Sequence, residues 1–364
     1  MGKGNRERLW NWRVMKNMGI NMRKKKSEML EFLHQCRIHR GEEEFRKLVL
    51  EAYHNPDYLK IESRGNEYSG RVVYHIGAYG CSVGFFAEFL YTLIRLYFAE
   101  DRGFTPFVYW GKEFLYYEPD GVNEEHNAFL YYFEPVTDIV STENAAHVLM
   151  ATDDHIHSVQ DRLNTHGYAV SDEYMNELSS MINKYIHYNR KTLEYLERNY
   201  NELVGERRAL AVHFRGTDYR RQYNNHPVFV TIEQEIKKVH EIFDKKDYDI
   251  IFLATDEQEA VNRFRDEFGD KIRTFEDTWR ADGGDESVAY SKANREHHRY
   301  LLGLEVIRDQ YMLTRCPGLV CGISNLTLSA RMMRKAWYKD DYEDLVILNH
   351  DLCHNDRNFC DAKH

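Results

Sequence analysis

Leu210-Ala-Val-His-Phe-Arg-Gly-Thr-Asp218 begins as an apolar run and breaks abruptly into His213, Arg215, Gly216, Thr217 and Asp218. A short apolar run that stops at a glycine-containing polar cluster predicts a buried strand delivering side chains to a sheet edge. The design recurs twice downstream. Asp249-Ile-Ile-Phe-Leu-Ala-Thr-Asp256 ends in Thr255 and Asp256, and Gly318-Leu-Val-Cys-Gly-Ile-Ser-Asn325 ends in Ser324 and Asn325. In open parallel α/β sheets, ligands bind beyond the carboxyl ends of the strands, where loops and helix N-termini meet. The three runs therefore predict an α/β fold with one polar edge, and that edge is the expected site.

Composition narrows the classes of function. A chain of 364 residues holds one large domain or two of ordinary size. Its hydrophobic fraction of 43% rules out wholesale disorder. A formal net charge of -10 speaks against a general nucleic-acid partner, because phosphate backbones select basic surfaces. The 26 Tyr and 19 Phe fit either a sugar or nucleotide cleft or, as the commoner use, core and interface.

No apolar run approaches the roughly 20 residues that span a membrane, and the N-terminus carries no secretory apolar stretch. Arg6 stands where a myristoylation signal after Met1-Gly2 needs Ser or Thr. Cys36, Cys81, Cys316, Cys321, Cys353 and Cys360 form no C-x-x-C pair and read as reduced thiols. The expectation is a cytoplasmic protein. The run Arg23-Lys-Lys-Lys26 offers peripheral contact with an inner membrane face, for which a solvated helix face is the plainer account.

In chain order, Met29, Phe32, Leu33 and Cys36, then Phe45, Leu48, Val49 and Ala52, predict two N-terminal helices. Arg71 to Ile76 reads as a strand, Gly77-Ala-Tyr-Gly-Cys81 as a turn, and Phe85 to Phe98 as a buried helix, the opening of a βαβ unit. Gly77 and Gly80 allow either close approach of a ligand, with Tyr79 between them, or tight packing of helix on strand. Phe107 to Trp110 is the next strand. The aromatic and acidic segment from Glu113 to Pro135 suits the rim of a carbohydrate cleft or an irregular loop pinned by its rings. Glu173 to Tyr200 shows one long helical pattern closed by Gly205, which places a domain boundary near Glu206 and gives units 1–205 and 206–364. Asp256-Glu-Gln-Glu259 has a capping-box pattern before a helix that Gly269 closes. Asp282-Gly-Gly-Asp285 is a loop with the character of a lid. A helix over 300–313 carries Leu301, Leu304 and Ile307 on one stripe and Asp309 off it. The last strand follows Pro317, and the last helix covers about Asn325 to Trp337.

Ser324, Asn325 and Thr327 stand where a buried strand turns into a helix. Free backbone N–H groups and the positive dipole end bind phosphate there, and plain N-capping is the alternative. Arg215, delivered from a neighbouring strand end, can grip a phosphate bidentately or pair with Asp218 or Asp256.

His213-Phe-Arg-Gly-Thr-Asp218 resembles the first motif of the fucosyltransferases that use GDP-fucose, which include the α1,6, α1,2 and protein O-fucosyltransferases. Leu253-Ala-Thr-Asp256 resembles their second motif, and Leu319 to Arg331, centred on Ser324, their third. Gly77 to Cys81 is similar to the Gly-rich turn of the α1,6 type. The resemblance implies a GT-B fold, two facing Rossmann-like domains, with inverting, metal-independent transfer to a glycan acceptor. It implies no cofactor and no metal ligand set, only the donor substrate GDP-fucose, and leaves open the oligomeric state, a dimer included. Carried onto this chain, Arg215 holds the donor β-phosphate with help from Ser324, Asn325 and Thr327, and Asp256 joins the donor-binding set. Asp309 falls where the family places a carboxylate that reads guanine, whose N1–H and 2-amino group are two parallel donors, and His213 contacts the same base. In the α1,6 enzymes a glutamate soon after the first motif serves as base. Here Tyr219-Arg-Arg-Gln-Tyr-Asn-Asn225 has no carboxylate, so the alternatives are Asp218, the Glu118 to Glu134 segment, or a strongly dissociative reaction that uses no strong base.

Two rivals remain. Asp153 and Asp154 could hold Mg²⁺ or Mn²⁺ on another nucleotide sugar, although paired Asp before a helix more often cap it. Cys353, His354, Cys360 and His364 have ligand chemistry without a recognised spacing, and a frayed terminus is the plainer reading. The other rival is a non-catalytic GDP- or sugar-binding protein of the same fold.

Overall fold

The computed structural model describes residues 57–80, 83–165, 167–168, 170–348 and 351–357. The two expected N-terminal helices, the Arg23–Lys26 run, Cys36, Cys81, Cys360 and His364 lie outside them.

The described chain is mixed α/β, with two sheets. Strands β1 (Ile61–Glu62), β2 (Val73–Gly77), β3 (Thr105–Tyr109) and β4 (Val148–Met150) form the first, in the order β1-β4-β2-β3. Here β2 runs parallel to β3 and β4, with Val73 opposite Thr105 and Val148, while β1 is antiparallel to β4. Helix α1 (Phe85–Arg102) connects β2 to β3. It stops because Gly103 adopts φ 68° and turns its N–H back to the carbonyls of Ala99 and Glu100. Helices α2 (Asp153–Arg162), α3 (Asp172–Tyr185) and α4 (Arg190–Leu203) then lead to the second sheet.

That second sheet contains β5 (Ala209–Phe214), β6 (Ile250–Thr255), β7 (Ile272–Arg273), β8 (Gly318–Cys321) and β9 (Asp344–Ile347). All its pairings are parallel, and the order is β7-β6-β5-β8-β9. The chain builds outward from β5 on one side and then returns to build on the other. The reversal between β5 and β8 is the crevice where doubly wound sheets bind ligands. Alternation along β5 divides the packing. Leu210, Val212 and Phe214 pack with α5 (Ile232–Phe243) and α6 (Gln258–Phe268), whereas Ala209 and Ala211 pack with α7 (His298–Arg315) and α8 (Asn325–Tyr338). His213 and Arg215 continue the second series, so they point to the side of α7 and α8. The core of the first sheet extends onto the same two helices through Leu304, Ile307, Leu328 and Met332.

Three expectations need correction. The long helix over 173–200 is two helices: Asn189 caps α4, accepting from the Thr192 N–H at 3.0 Å and donating to the carbonyls of Leu130 and Tyr131 at 2.9 and 3.0 Å. Apolar spacing continues through the break and hides it. The capping box at 256–259 does not form, because the carboxylates of Asp256 and Glu257 turn toward the loop after β5. The strand after Pro317 is followed by another, β9. Of the two readings of the aromatic segment, the structure shows the irregular loop pinned by its rings: Tyr131, Tyr132 and Phe133 are buried and Tyr132 stacks on Tyr300 at 5.5 Å. Two of its carboxylates serve backbone, Glu125 accepting from the Asn127 N–H at 2.7 Å and Glu118 from the Tyr300 N–H at 3.0 Å.

Candidate active site

The loop after β5 is tied to the loop after β6 by charge and hydrogen bonds. The Gly216 N–H donates to Asp256 Oδ1 at 3.0 Å, the Thr217 hydroxyl to Asp256 Oδ2 at 2.6 Å, and the Thr217 N–H to Glu257 Oε1 at 3.0 Å. Glu257 is buried and paired with Arg220, whose Nη2 donates to Oε2 at 2.8 Å. On this frame Arg215 Nη2 donates to Asp218 Oδ1 at 2.7 Å, and Nη1 lies 3.1 Å from Asp256 Oδ2. Burial works against its charge, but Asp218 and Asp256 outweigh burial and hold the guanidinium protonated. The ion pairing weighed from the sequence is thus present, and the side chain still lines the cavity.

At the end of β8, Ser324 caps α8. Its Oγ accepts from the Thr327 N–H at 3.1 Å, and Thr327 Oγ1 accepts from the Ser324 N–H at 3.1 Å. Both hydroxyls are therefore engaged in a reciprocal cap. The first-turn N–H groups of Asn325 and Leu326 have no partner within the helix and belong to residues that line the cavity.

Helix α7 closes a third side. Asp309 is only 9% exposed, which excludes the solvated-residue reading. Burial pushes its carboxyl up to about 7, against the pull of Arg308 and Arg280. Among the described residues it accepts no hydrogen bond, whereas Nη2 of its neighbour Arg308 donates to Asp277 at 2.8 Å and to Thr278 at 2.9 Å. His213 lies opposite on the sheet. Burial and then Arg215 lower it to about 3, so it is neutral, and its buried Nδ1 has no protein partner.

These groups surround a cavity of about 480 Å³. His213, Arg215, Asp218, Asp256, Asp309, Ser324 and Asn325 all line it, and Thr327 adjoins it through the cap. The loop containing Asp282–Asp285 lies beside it: Arg221 pairs with Asp285 at 2.9 Å, and Ser287, Val288 and Tyr290 form part of the wall. The far wall comes from α1 and α3, with Phe86, Leu90, Ile94 and Tyr174. Gly77, Tyr79 and Gly80 do not line it. The Tyr79 N–H instead donates to both oxygens of Glu88, at 2.9 and 2.8 Å, and the Gly77 carbonyl accepts from Arg95 at 3.1 Å.

Sequence reasoning missed Trp279, Tyr168, Tyr219 and His226 as wall residues. Nothing in their spacing marks them. His226 is the first residue beyond the stretch searched for a base. Its backbone is held by the tail, the Cys353 N–H donating to the His226 carbonyl and the Asn225 N–H to the Cys353 carbonyl, both at 2.8 Å. Residues 351–357 are therefore anchored, which corrects the reading of this part as frayed. Cys316, Cys321 and Cys353 are buried free thiols. Asp153 sits in the first turn of α2, 3.5 Å from Arg95. Among the described residues no three His, Cys, Asp or Glu side chains converge as metal ligands, and no helix is long and apolar enough to cross a membrane.

Chemically, the cavity offers a cation and helix N–H groups for a phosphate, and a carboxylate for a pair of N–H donors. It belongs to the class of ligand sites at the reversal of a parallel α/β sheet. Among solved structures, the chain is similar to NodZ alpha-1,6-fucosyltransferase soaked with GDP-fucose, with 17% identity and a TM-score of 0.44 over 72% of this chain and 92% of that one. It is similar to fucosyltransferase NodZ from Bradyrhizobium, with 16% identity, TM-score 0.44 and coverage of 72% and 92%. It is also similar to POFUT1 in complex with GDP, with 11% identity, TM-score 0.45 and coverage of 79% and 99%. No protein-family model matches the chain. Nor does any curated protein match it.

Proposed function

We propose that the protein is a glycosyltransferase that moves fucose from GDP-fucose to a hydroxyl of a glycan, with inversion and without a metal. The observation that carries this reading is the convergence of Arg215, the N-terminus of α8 and the buried carboxylate of Asp309 on one cavity. The set of chemistries around the cavity suits a guanosine diphosphate: a carboxylate for the N1–H and 2-amino donors, and a cation and N–H groups for the phosphates. The fucosyl assignment is supported by the resemblance of the three sequence motifs. In this reading the halves 1–205 and 206–364 are Rossmann-like domains facing each other in a GT-B arrangement, the second carrying the donor.

In the reaction, the acceptor oxygen forms a bond to C1 of the sugar on the face opposite the diphosphate. The bond from C1 to the β-phosphate oxygen breaks and leaves its electron pair on the diphosphate. Arg215 and the first-turn N–H groups of α8 meet that charge, while Asp218 and Asp256 keep the guanidinium in place. Each charge-assisted hydrogen bond contributes about 1.5–3 kcal/mol, so two or three that strengthen as the charge develops account for several powers of ten in rate.

The test is release of GDP from GDP-fucose, with and without chelator, beside GDP-mannose and UDP-galactose. Release from GDP-fucose that survives chelation supports the reading. Turnover that needs added metal, or that favours the UDP-sugar, moves the assignment to a metal-dependent transferase. GDP binding without any turnover moves it to a binding protein.

A further inference from the structure

A second, smaller cavity of about 250 Å³ lies beside the first at the N-terminus of α8. Tyr168, Ser324 and Leu328 line both cavities and form the partition between them. Cys321, Thr327 and Arg331 belong to the smaller one alone. Arg331 follows Thr327 by four residues, so the two share a face of α8, and helical side chains lean toward the N-terminus. The half-buried guanidinium is therefore delivered to the pocket, next to the cap.

Arg331 differs from the other arginines in having nothing to hold. Arg95 donates to the Gly77 carbonyl at 3.1 Å and Arg220 to Glu257 at 2.8 Å. Arg334, three residues further along α8, donates to the carbonyls of Thr314 and Cys316, both at 3.0 Å. Among the described residues, Arg331 is the one arginine that makes no hydrogen bond, ion pair or aromatic contact. No Asp or Glu among those residues lines its pocket. The Ser324 and Thr327 hydroxyls are engaged in their reciprocal cap. A cation that has lost part of its water and has no counter-ion costs free energy, which an anion entering the pocket recovers. The positive end of the α8 dipole acts in the same direction.

We infer that this pocket is an acceptor subsite in which Arg331 binds an oxyanion, a carboxylate or a phosphate, carried by the glycan. This inference rests on the transferase reading. In that reading the donor has no anion left for Arg331: its diphosphate is met by Arg215 and the first-turn N–H groups of α8 in the larger cavity, which Arg331 does not line. The shared partition puts the two ligands side by side, donor in one cavity and the acidic group of the acceptor in the other. A planar guanidinium gives two parallel N–H donors to two oxygens of a carboxylate or phosphate. A neutral sugar hydroxyl brings no charge to the same place, so the subsite selects acidic acceptors over neutral ones.

The test is calorimetry on the full chain saturated with GDP, titrated with glucuronate, inorganic phosphate and glucose, in the wild type, Arg331→Gln and Arg331→Lys. The expected result is that glucuronate or phosphate binds with GDP in place, about tenfold or more tightly than glucose. Arg331→Gln should weaken that anion by about 10–100-fold, and Arg331→Lys should recover part of the loss. Tighter glucuronate assigns an acidic sugar, and tighter phosphate a phosphorylated acceptor. Anions that bind only in the absence of GDP occupy the diphosphate site and overturn the inference. So does a failure of both anions to bind, or equal binding by the wild type and Arg331→Gln. GDP release from GDP-fucose is then compared with methyl glucuronide and methyl glucoside as acceptors. The ratio of their kcat/KM values, which cancels any general loss of activity, should favour the glucuronide or, if phosphate binds tighter, the corresponding sugar phosphate, and fall toward one in Arg331→Gln. GDP release without anion binding removes the subsite and leaves the transferase. Anion binding beside GDP with no GDP release removes the transferase, and the acceptor role with it.

Discussion

The Glu257 carboxyl group occupies the space that a side chain on Gly216 would need. The two residues belong to loops on neighbouring strands, and their close approach lets Glu257 reach the Thr217 N–H. Gly216→Ala forces a buried, Arg220-paired carboxylate out of place. The expected cost is about 1–3 kcal/mol in a urea titration, with weaker GDP binding in the same protein. An unchanged midpoint would show that the two loops are not packed as described.

Asn189 interrupts what would otherwise be a continuous helix and ties α4 to the 130–131 backbone. Asn189→Ala removes the cap and leaves those bonds unmade. Stability should drop by about 1–2 kcal/mol, read from thermal unfolding, whereas GDP affinity should hold because the residue is remote from the cavity.

Asp309 connects pH to base selection. Its carboxyl is raised to about 7 by burial, and only the ionised form accepts two hydrogen bonds from guanine. The free protein therefore becomes competent for guanine as pH rises through that value. The ratio of GDP to UDP affinity, which cancels the titration of the diphosphate, should be about tenfold higher at pH 8 than at pH 6. In Asp309→Asn the ratio should be lower and flat. A wild-type ratio that falls with pH would contradict the assignment.

Glu235 is buried on α5 with Oε1 unpartnered, and burial raises its pKa well above the ordinary value. The folded state therefore keeps this proton to higher pH than the unfolded chain does. Stability falls as pH rises above the ordinary glutamate range and stops falling above the folded pKa. Glu235→Gln removes that slope. The variant should melt higher than the wild type at pH 8, with the difference shrinking toward pH 4.5, as followed by calorimetric scans.

The second sheet is readable in the sequence because its strands β5, β6 and β8 are unbroken apolar runs that end in polar residues, as strands buried on both faces of a parallel sheet do. Strands β1, β4 and β7 are two or three residues long and leave no period to detect. The break at Asn189 is masked because Ile186 and Tyr188 keep apolar residues in phase across it. Asp309 looks solvated on a helical wheel because one stripe of α7 is apolar, but α7 is enclosed on several sides and also buries Glu305, Arg308 and Gln310. His226 carries no local signal. It joins the cavity wall in the folded chain, where the Cys353 N–H holds its carbonyl.

The central claim, a guanosine diphosphate held by Arg215 and read by Asp309, is tested by calorimetry of GDP, UDP and ADP with the wild type and Arg215→Ala. The account predicts that GDP binds about 10–100-fold more tightly than UDP or ADP. Arg215→Ala should weaken GDP by about 10–100-fold and leave the order of the three nucleotides unchanged. UDP binding as tightly as GDP, or Arg215→Ala binding GDP as the wild type does, would contradict it.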